Sequence, residues 1–269
     1  MADSSEQYDH LKQLLSFKTH PVAVRYLPSI DEELEWELVE EGFYRPRHPL
    51  NVCQLVGIAR HQGRKVFSTP EDSACNIGTM AVGFHPFDEA MSSGEIGVWD
   101  GVRRDSALCR EMFQTLPRIE YGTVRAVAVA PLDKMNLDID QVVFYGNPLD
   151  ILKIFQAYLW GNAPRLEIST AGKYGVCIEG MASSYLSRRP SVGFPCRGER
   201  VSSIVQDDEM FICIPGGQLE AVIEGLEETK HLLPRPMPFG GVDQPPYFLP
   251  DYYLTEAAKK KMYPEGGAH

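Results

Sequence analysis

No CxxC pair occurs among the six cysteines of this 269-residue chain. That absence removes the strongest signature of structural zinc and of bacterial ferredoxin clusters. GxGxxG, Walker A and GxSxG motifs are missing too, so nucleotide binding and serine hydrolysis have no positive support. Seven histidines form neither an HExxH nor an H-x3-H pattern, and His20, His48 and His85 precede proline in extended or turn settings. Nowhere do 18 apolar residues run together, and the opening MADSSEQYDH is polar and acidic, without an apolar h-region. A soluble, cytoplasmic chain with no membrane partner is therefore expected. Basic charge is scarce: 26 Lys and Arg against 37 Asp and Glu leave a net charge of -11, which disfavours nucleic acid as a partner. In a reducing compartment six cysteines are not expected to form a disulfide framework, which leaves thiol chemistry, metal ligation or plain burial.

An apolar content of 43% over this length can bury a large core, as one domain or two packed halves. Ser4-Ser5-Glu6-Gln7 reads as a capping box ahead of a helical stripe at Tyr8, Leu11, Leu14 and Leu15. Residues 22–27 read as a strand and 31–41 as an exposed amphipathic helix. Asn51 can cap a helix that carries Val52, Leu55, Val56 and Ala59 on one side and stops at Gly63. Thr69-Pro70-Glu71-Asp72 has the cap, proline and acids of a helix start, which places Cys75 inside a short helix ending near Gly78. Strands are expected over 123–130, 141–145 and 166–170, with a helix over 148–160. Residues 200–205 and 210–215 flank Gln206-Asp207-Asp208-Glu209, which reads as a hairpin with a solvated turn. Gly216-Gly217 then opens a helix with the stripe Leu219, Val222, Ile223 and Leu226.

The fold class expected from this order is α+β, a mixed β-sheet with packed helices, arranged as two similar halves around a central cleft. One α+β domain spans 1–232, with halves at 20–130 and 131–232. A proline- and aromatic-rich extended arm follows over 233–269, laid over its own domain or a partner subunit, which makes a homodimer the expected assembly.

Four of the cysteines fall into two comparable settings. Val52-Cys53 leads after 22 positions to Cys75, and Val176-Cys177 leads after 19 to Cys196. In each half a Val-Cys pair opens a run of small residues, passes a basic patch and reaches the second cysteine. With Asn51 as cap, Cys53 takes the second helical position, where free N–H groups and the dipole stabilise a thiolate. Cys196 lies in Gly193-Phe194-Pro195-Cys196-Arg197-Gly198, a segment able to curl around a bound group, and Cys177 follows the permissive Gly172-Lys173-Tyr174-Gly175-Val176. Cys109, on a helix over 106–116, and Cys213, in an alternating strand, read as core residues. Spacing alone leaves burial of all six as a rival reading.

The segments Cys53-Gln54 through Ala59-Arg60, Gly63, Glu71-Asp72-Ser73-Ala74-Cys75, Phe194-Pro195-Cys196-Arg197-Gly198-Glu199-Arg200, Asp207-Asp208-Glu209-Met210 and Ile214-Pro215 together carry a family resemblance. Over roughly residues 10 to 230 the chain resembles the uncharacterised ArCR-type domain of unknown function 169. The resemblance implies cysteines retained at Cys53, Cys75 and Cys196, rests less on Cys177, and brings no established reaction. Such proteins belong mainly to anaerobic and metal-rich metabolisms of bacteria and archaea.

Arginines supply a second layer. Arg60 lies two helical turns after Cys53, and Arg197 and Arg200 bracket Glu199 beside Cys196; guanidinium groups there would balance an anionic cluster or hold a carboxylate or phosphate. The leading expectation is an iron–sulfur protein, of [4Fe–4S] type, with Cys53, Cys75, Cys177 and Cys196 as metal ligands. Arg60, Arg197 and Arg200 would then bind a small anionic or aromatic molecule. Three ligands would leave one iron open to substrate and four would close it. A non-catalytic binding module with structural cysteines and a thiol redox sensor are the alternatives.

Overall fold

The computed structural model describes residues 4–162, 165–233 and 253–262. The chain divides into two compact units, Met1–Lys230 and His231–His269. In the first unit, helix α1 (Ser4–Leu14) precedes strand β1 (Val22–Leu27), helix α2 (Glu32–Glu40), helix α3 (Val52–Gln62) and the short strand β2 (Val66–Ser68). Helices α4 (Asn76–Ala81), α5 (Glu89–Ser92), α6 (Glu95–Trp99) and α7 (Ser106–Thr115) follow, then strands β3 (Ala126–Pro131) and β4 (Gln141–Gly146). Helix α8 (Pro148–Asn162), a π-helical turn (Val176–Ala182), helix α9 (Ser183–Ser187), strand β5 (Ser191–Gly193), helix α10 (Arg197–Ser202), strand β6 (Met210–Pro215) and helix α11 (Leu219–Thr229) complete it. The second unit contains helix α12 (Glu256–Met262). Most of the expected arm over 233–269 lies outside the described residues.

The class is α+β, built on one six-stranded sheet in the order β2-β3-β1-β4-β6-β5. Its ladders are antiparallel, and among the described residues parallel pairing is confined to the isolated bridges Tyr44↔Val66 and Leu50↔Ser73. Strand alternation sends Val22, Val24, Val127, Val129, Val143 and Cys213 to one face, where α3, α4, α7 and the π turn pack. Ala23, Ala128, Ala130, Val142, Phe144 and Ile212 point to the other face, beneath α1, α8 and α11.

Strand register repeats between the two sides of the sheet. Val22 faces Pro131 as Gln141 faces Pro215, and Val66 faces Val129 as Ser191 faces Cys213. The central ladder, Val22↔Val143 and Val24↔Gln141, is symmetric under the same exchange. Even the turns correspond: Leu132 N–H donates to Pro21 C=O at 2.9 Å and Gly216 N–H to Asp140 C=O at 2.8 Å. A two-fold relation about the β1–β4 ladder therefore maps β1, β2 and β3 onto β4, β5 and β6.

Several local expectations give way to longer-range bonds. Ser4 donates its hydroxyl to Met135 C=O instead of capping α1. The Thr69-Pro70 start closes a single 3-10 turn, Pro70–Asp72, and the helix begins later, with Cys75 as its N-cap. Residues 166–170 form no strand, because no described strand lies beside them. The expected hairpin over 200–215 is absent. Residues Arg197–Ser202 are helical, since Glu199 turns back onto the Cys196 N–H at 3.0 Å, and β6 pairs instead with β4 and β5. Glu209, assigned to a solvated turn, is buried and paired with Arg60.

Candidate functional site

Cys53, Cys75, Cys177 and Cys196 line one cavity of about 390 Å³. Each is delivered by the start of a helical segment. Asn51 is the N-cap of α3 and Cys53 its second residue; Gly175 is the N-cap of the π turn and Cys177 its second residue. Cys75 and Cys196 are themselves the N-caps of α4 and α10, each just past a three-residue edge strand. The two pairs that are separate along the chain thus share one cavity.

Local forces hold the first pair simply. The Gln54 side chain accepts from Asn51 N–H at 2.9 Å, and Gly63 ends α3 with φ 64°, a left-handed conformation that suits glycine. The second pair depends on a buried carboxylate that sequence reading passed over. Glu199 is fully buried; its Oε2 accepts from Cys196 N–H at 3.0 Å and Val176 N–H at 2.9 Å, and its Oε1 accepts from Tyr145 Oη at 2.6 Å. One side chain therefore ties both cysteine-bearing segments to β4. Gly175 makes room for it, since a Cβ there would overlap the Glu199 carboxylate and lie 2.8 Å from Cys196 N. Gln141, also buried, adds a second tie by donating to Met181 C=O in the π turn at 2.8 Å while accepting from Tyr26 Oη at 2.9 Å. The signal for Glu199 was a Cys-x-x-Glu capping box, legible once cysteine is admitted as a cap.

Electrostatics at the site run against free thiolates. Burial pushes the Cys53 thiol up to about 12, with Glu199, Cys196 and Cys75 adding to the shift, and the neighbouring Ser203 hydroxyl offsets only part of it. Cys177 is raised well above the ordinary thiol value by burial and then by Cys53, Cys196 and Cys75. Burial raises Cys196 too, against backbone N–H groups of Glu199 and Gly198 that favour its thiolate. The expected stabilisation of a Cys53 thiolate by the helix start is thus outweighed by desolvation. Cys53 and Cys177, raised by burial and then by neighbouring groups that include other thiols of the cavity, would be served by a cation among them, because a bound metal ion inverts this balance and deprotonates its ligands.

Asp100, Lys173 and Arg197 line the same cavity. Lys173 Nζ and Asp100 Oδ2 lie 2.5 Å apart, whereas Arg197 is exposed and has no carboxylate partner among the described residues. Arg60 and Arg200 do not line the cavity. Seven residues along α3 carry Arg60 about 10 Å from Cys53, so sharing a side of the helix does not bring them together. Arg60 is buried, paired with Glu209, donates from Nε to Thr19 Oγ1 at 2.8 Å and stacks on the Tyr145 ring at 4.0 Å. Arg200 pairs with exposed Asp207 at 2.9 Å. Cys109 and Cys213 are wholly buried in the core.

Among the described residues no group of three or more His, Cys, Asp or Glu side chains is set to hold a single metal ion. Among those residues, too, no helix is long and apolar enough to cross a membrane.

The uncharacterized protein MJ0308 of Methanocaldococcus jannaschii is 25% identical over 228 residues, which cover 84% of this chain and 95% of that protein. No solved structure matches the chain significantly. The family model described as Uncharacterised ArCR matches residues 10–225, a span that contains all four cavity cysteines and Glu199, and the chain belongs to that family, the domain of unknown function 169.

Proposed function

We propose that the cavity holds an iron–sulfur cluster, of [4Fe–4S] type, on Cys53, Cys75, Cys177 and Cys196. The observation that carries this reading is the meeting of four thiols, from four separate segments, in one cavity of about 390 Å³. The raised Cys53 and Cys177 thiols support it from the side of charge, since a cluster's iron would supply the missing cations. Bound there on four cysteines, the cluster would be closed and would supply electron transfer; only with one of the four released would an iron be open for Lewis-acid chemistry. The chain's own residues would shape what enters: Arg197 offers an unpaired guanidinium to a small anionic molecule, and Tyr174 offers an aromatic face. Cytoplasmic, anaerobic metabolism and a homodimer complete the reading.

The test is anaerobic purification with iron and sulfide analysis and an absorption spectrum. Iron and sulfide in cluster proportion, lost in Cys53→Ala or Cys177→Ala and kept in Cys109→Ala, are expected. A colourless, iron-free chain after reconstitution would overturn the proposal. The raised thiols count against a redox sensor, which needs accessible thiolate.

A further inference from the structure

We propose that a second cavity, of about 410 Å³ and lined by Tyr8, Lys12, Lys18, Thr19, His20 and Arg60, is a binding site for a small tetrahedral oxyanion, such as the phosphate group of a metabolite. It shares no lining residue with the thiol cavity and does not rest on the cluster reading.

Charge is the first argument. The lining carries three permanent cations, Lys12, Lys18 and Arg60, with His20 and His61, and no carboxylate, in a chain whose net charge is -11. Arg60 is paired with buried Glu209, but the two lysines are held loosely or not at all. Lys12 has no carboxylate partner among the described residues, and Lys18 meets only Asp208, at 3.3 Å, in an exposed pair of the kind that holds weakly.

The second argument is an unfinished hydrogen-bond set. Arg60 is 1% exposed; its Nε is taken by Thr19 Oγ1 and its Nη2 by Glu209, but Nη1 is buried without a partner among the described residues. A buried charged N–H left unpaired is costly, and buried donors are ordinarily satisfied. Arg60 and its partner Thr19 both line the cavity, so this unfinished set lies at its wall.

The third argument is geometry. The cations come from three places, α1 (Lys12), the turn before β1 (Lys18) and the last turn of α3 (Arg60), so they approach from separate directions. A tetrahedral group with three charged oxygens answers such an array better than a planar carboxylate does. The Tyr8 hydroxyl, 3.0 Å from His20 Nδ1, adds a neutral polar group to the wall.

The experiment uses the full chain and inorganic phosphate and pyrophosphate as probes, with titration calorimetry and phosphorus NMR at constant ionic strength. Saturable binding of one anion per chain is expected, weakened about tenfold or more in Lys12→Gln/Lys18→Gln, a change equivalent to about 1.4 kcal/mol or more. Both lysines are exposed, so this variant is expected to fold. A control pair outside the cavity, Lys65→Gln/Lys230→Gln, is expected to bind as the parent does. No saturable binding, equal binding by the cavity variant, equal weakening by the control pair, or acetate bound as tightly as phosphate would each overturn the proposal.

Discussion

The two sides of the sheet share a strand register and place their cysteines alike, yet they hold those cysteines by different means. On the side of β1, β2 and β3, a regular α-helix with a capping box and a glycine stop presents Cys53, and every bond involved is local. On the side of β4, β5 and β6, a π turn presents Cys177, and the brace is Glu199, reaching Val176, Cys196 and Tyr145 across three segments. The difference teaches that one pattern of thiols can rest on local helix signals or on a single buried carboxylate. The second arrangement is the more brittle, because one side chain satisfies three buried donors at once.

That comparison can be broken most directly at Glu199. Glu199→Ala is expected to cost about 3–5 kcal/mol in urea unfolding, because three donors lose their acceptor at once, at about 1–3 kcal/mol for each one left buried and unpaired. Gly175→Ala, which pushes a Cβ into the same carboxylate, is expected to cost about 1–3 kcal/mol by overpacking and to disturb iron retention at Cys177 and Cys196 together. Gln54→Ala on the other side removes one local bond and is expected to cost about 1 kcal/mol or less. If Gln54→Ala proves as damaging as Glu199→Ala, the contrast between the sides fails.

A titration sharpens the same contrast. The folded Cys53 thiol, raised to about 12 from an ordinary value of 9.0, stays neutral where the unfolded chain has already ionised. Its contribution to stability is therefore complete below pH 9.0 and is lost as pH rises toward about 12. Iron-free protein is expected to lose stability over that window more steeply than Cys53→Ala, followed by denaturant midpoint against pH. Identical slopes would mean that the thiol is not buried as described. The smallest effect is expected at His61, held low by burial and then by Arg60. A depressed histidine stabilises above its ordinary value of 6.5 and loses that contribution as pH falls below it, so His61→Gln is expected to flatten the acid side slightly.

Much of the frame was legible because its signals are local. The strands near 22–27, 141–146 and 210–215, the Asn51 cap, the Gly63 stop and the second-position Cys53 all follow from neighbours within a few residues. Cys109 and Cys213 were readable as core from their place on a helix and in an alternating strand. Residues 200–205 misled because strand propensity competes there with a capping carboxylate whose other two partners, Val176 and Tyr145, are distant in sequence. Arg60 misled for a related reason: helical phase places residues on one side but says nothing of distance along the axis.

By itself the sequence determined which thiols could be displayed, through the helix starts at Asn51-Val52-Cys53 and Gly175-Val176-Cys177, and that the chain has no sequence-local metal motif. Only the tertiary structure decided that these four thiols share a cavity and that Arg60 turns to Glu209 and a second cavity. Helix starts depend on residues three or four apart, whereas convergence and burial depend on strand pairings between residues more than a hundred positions apart, such as Val22 with Val143.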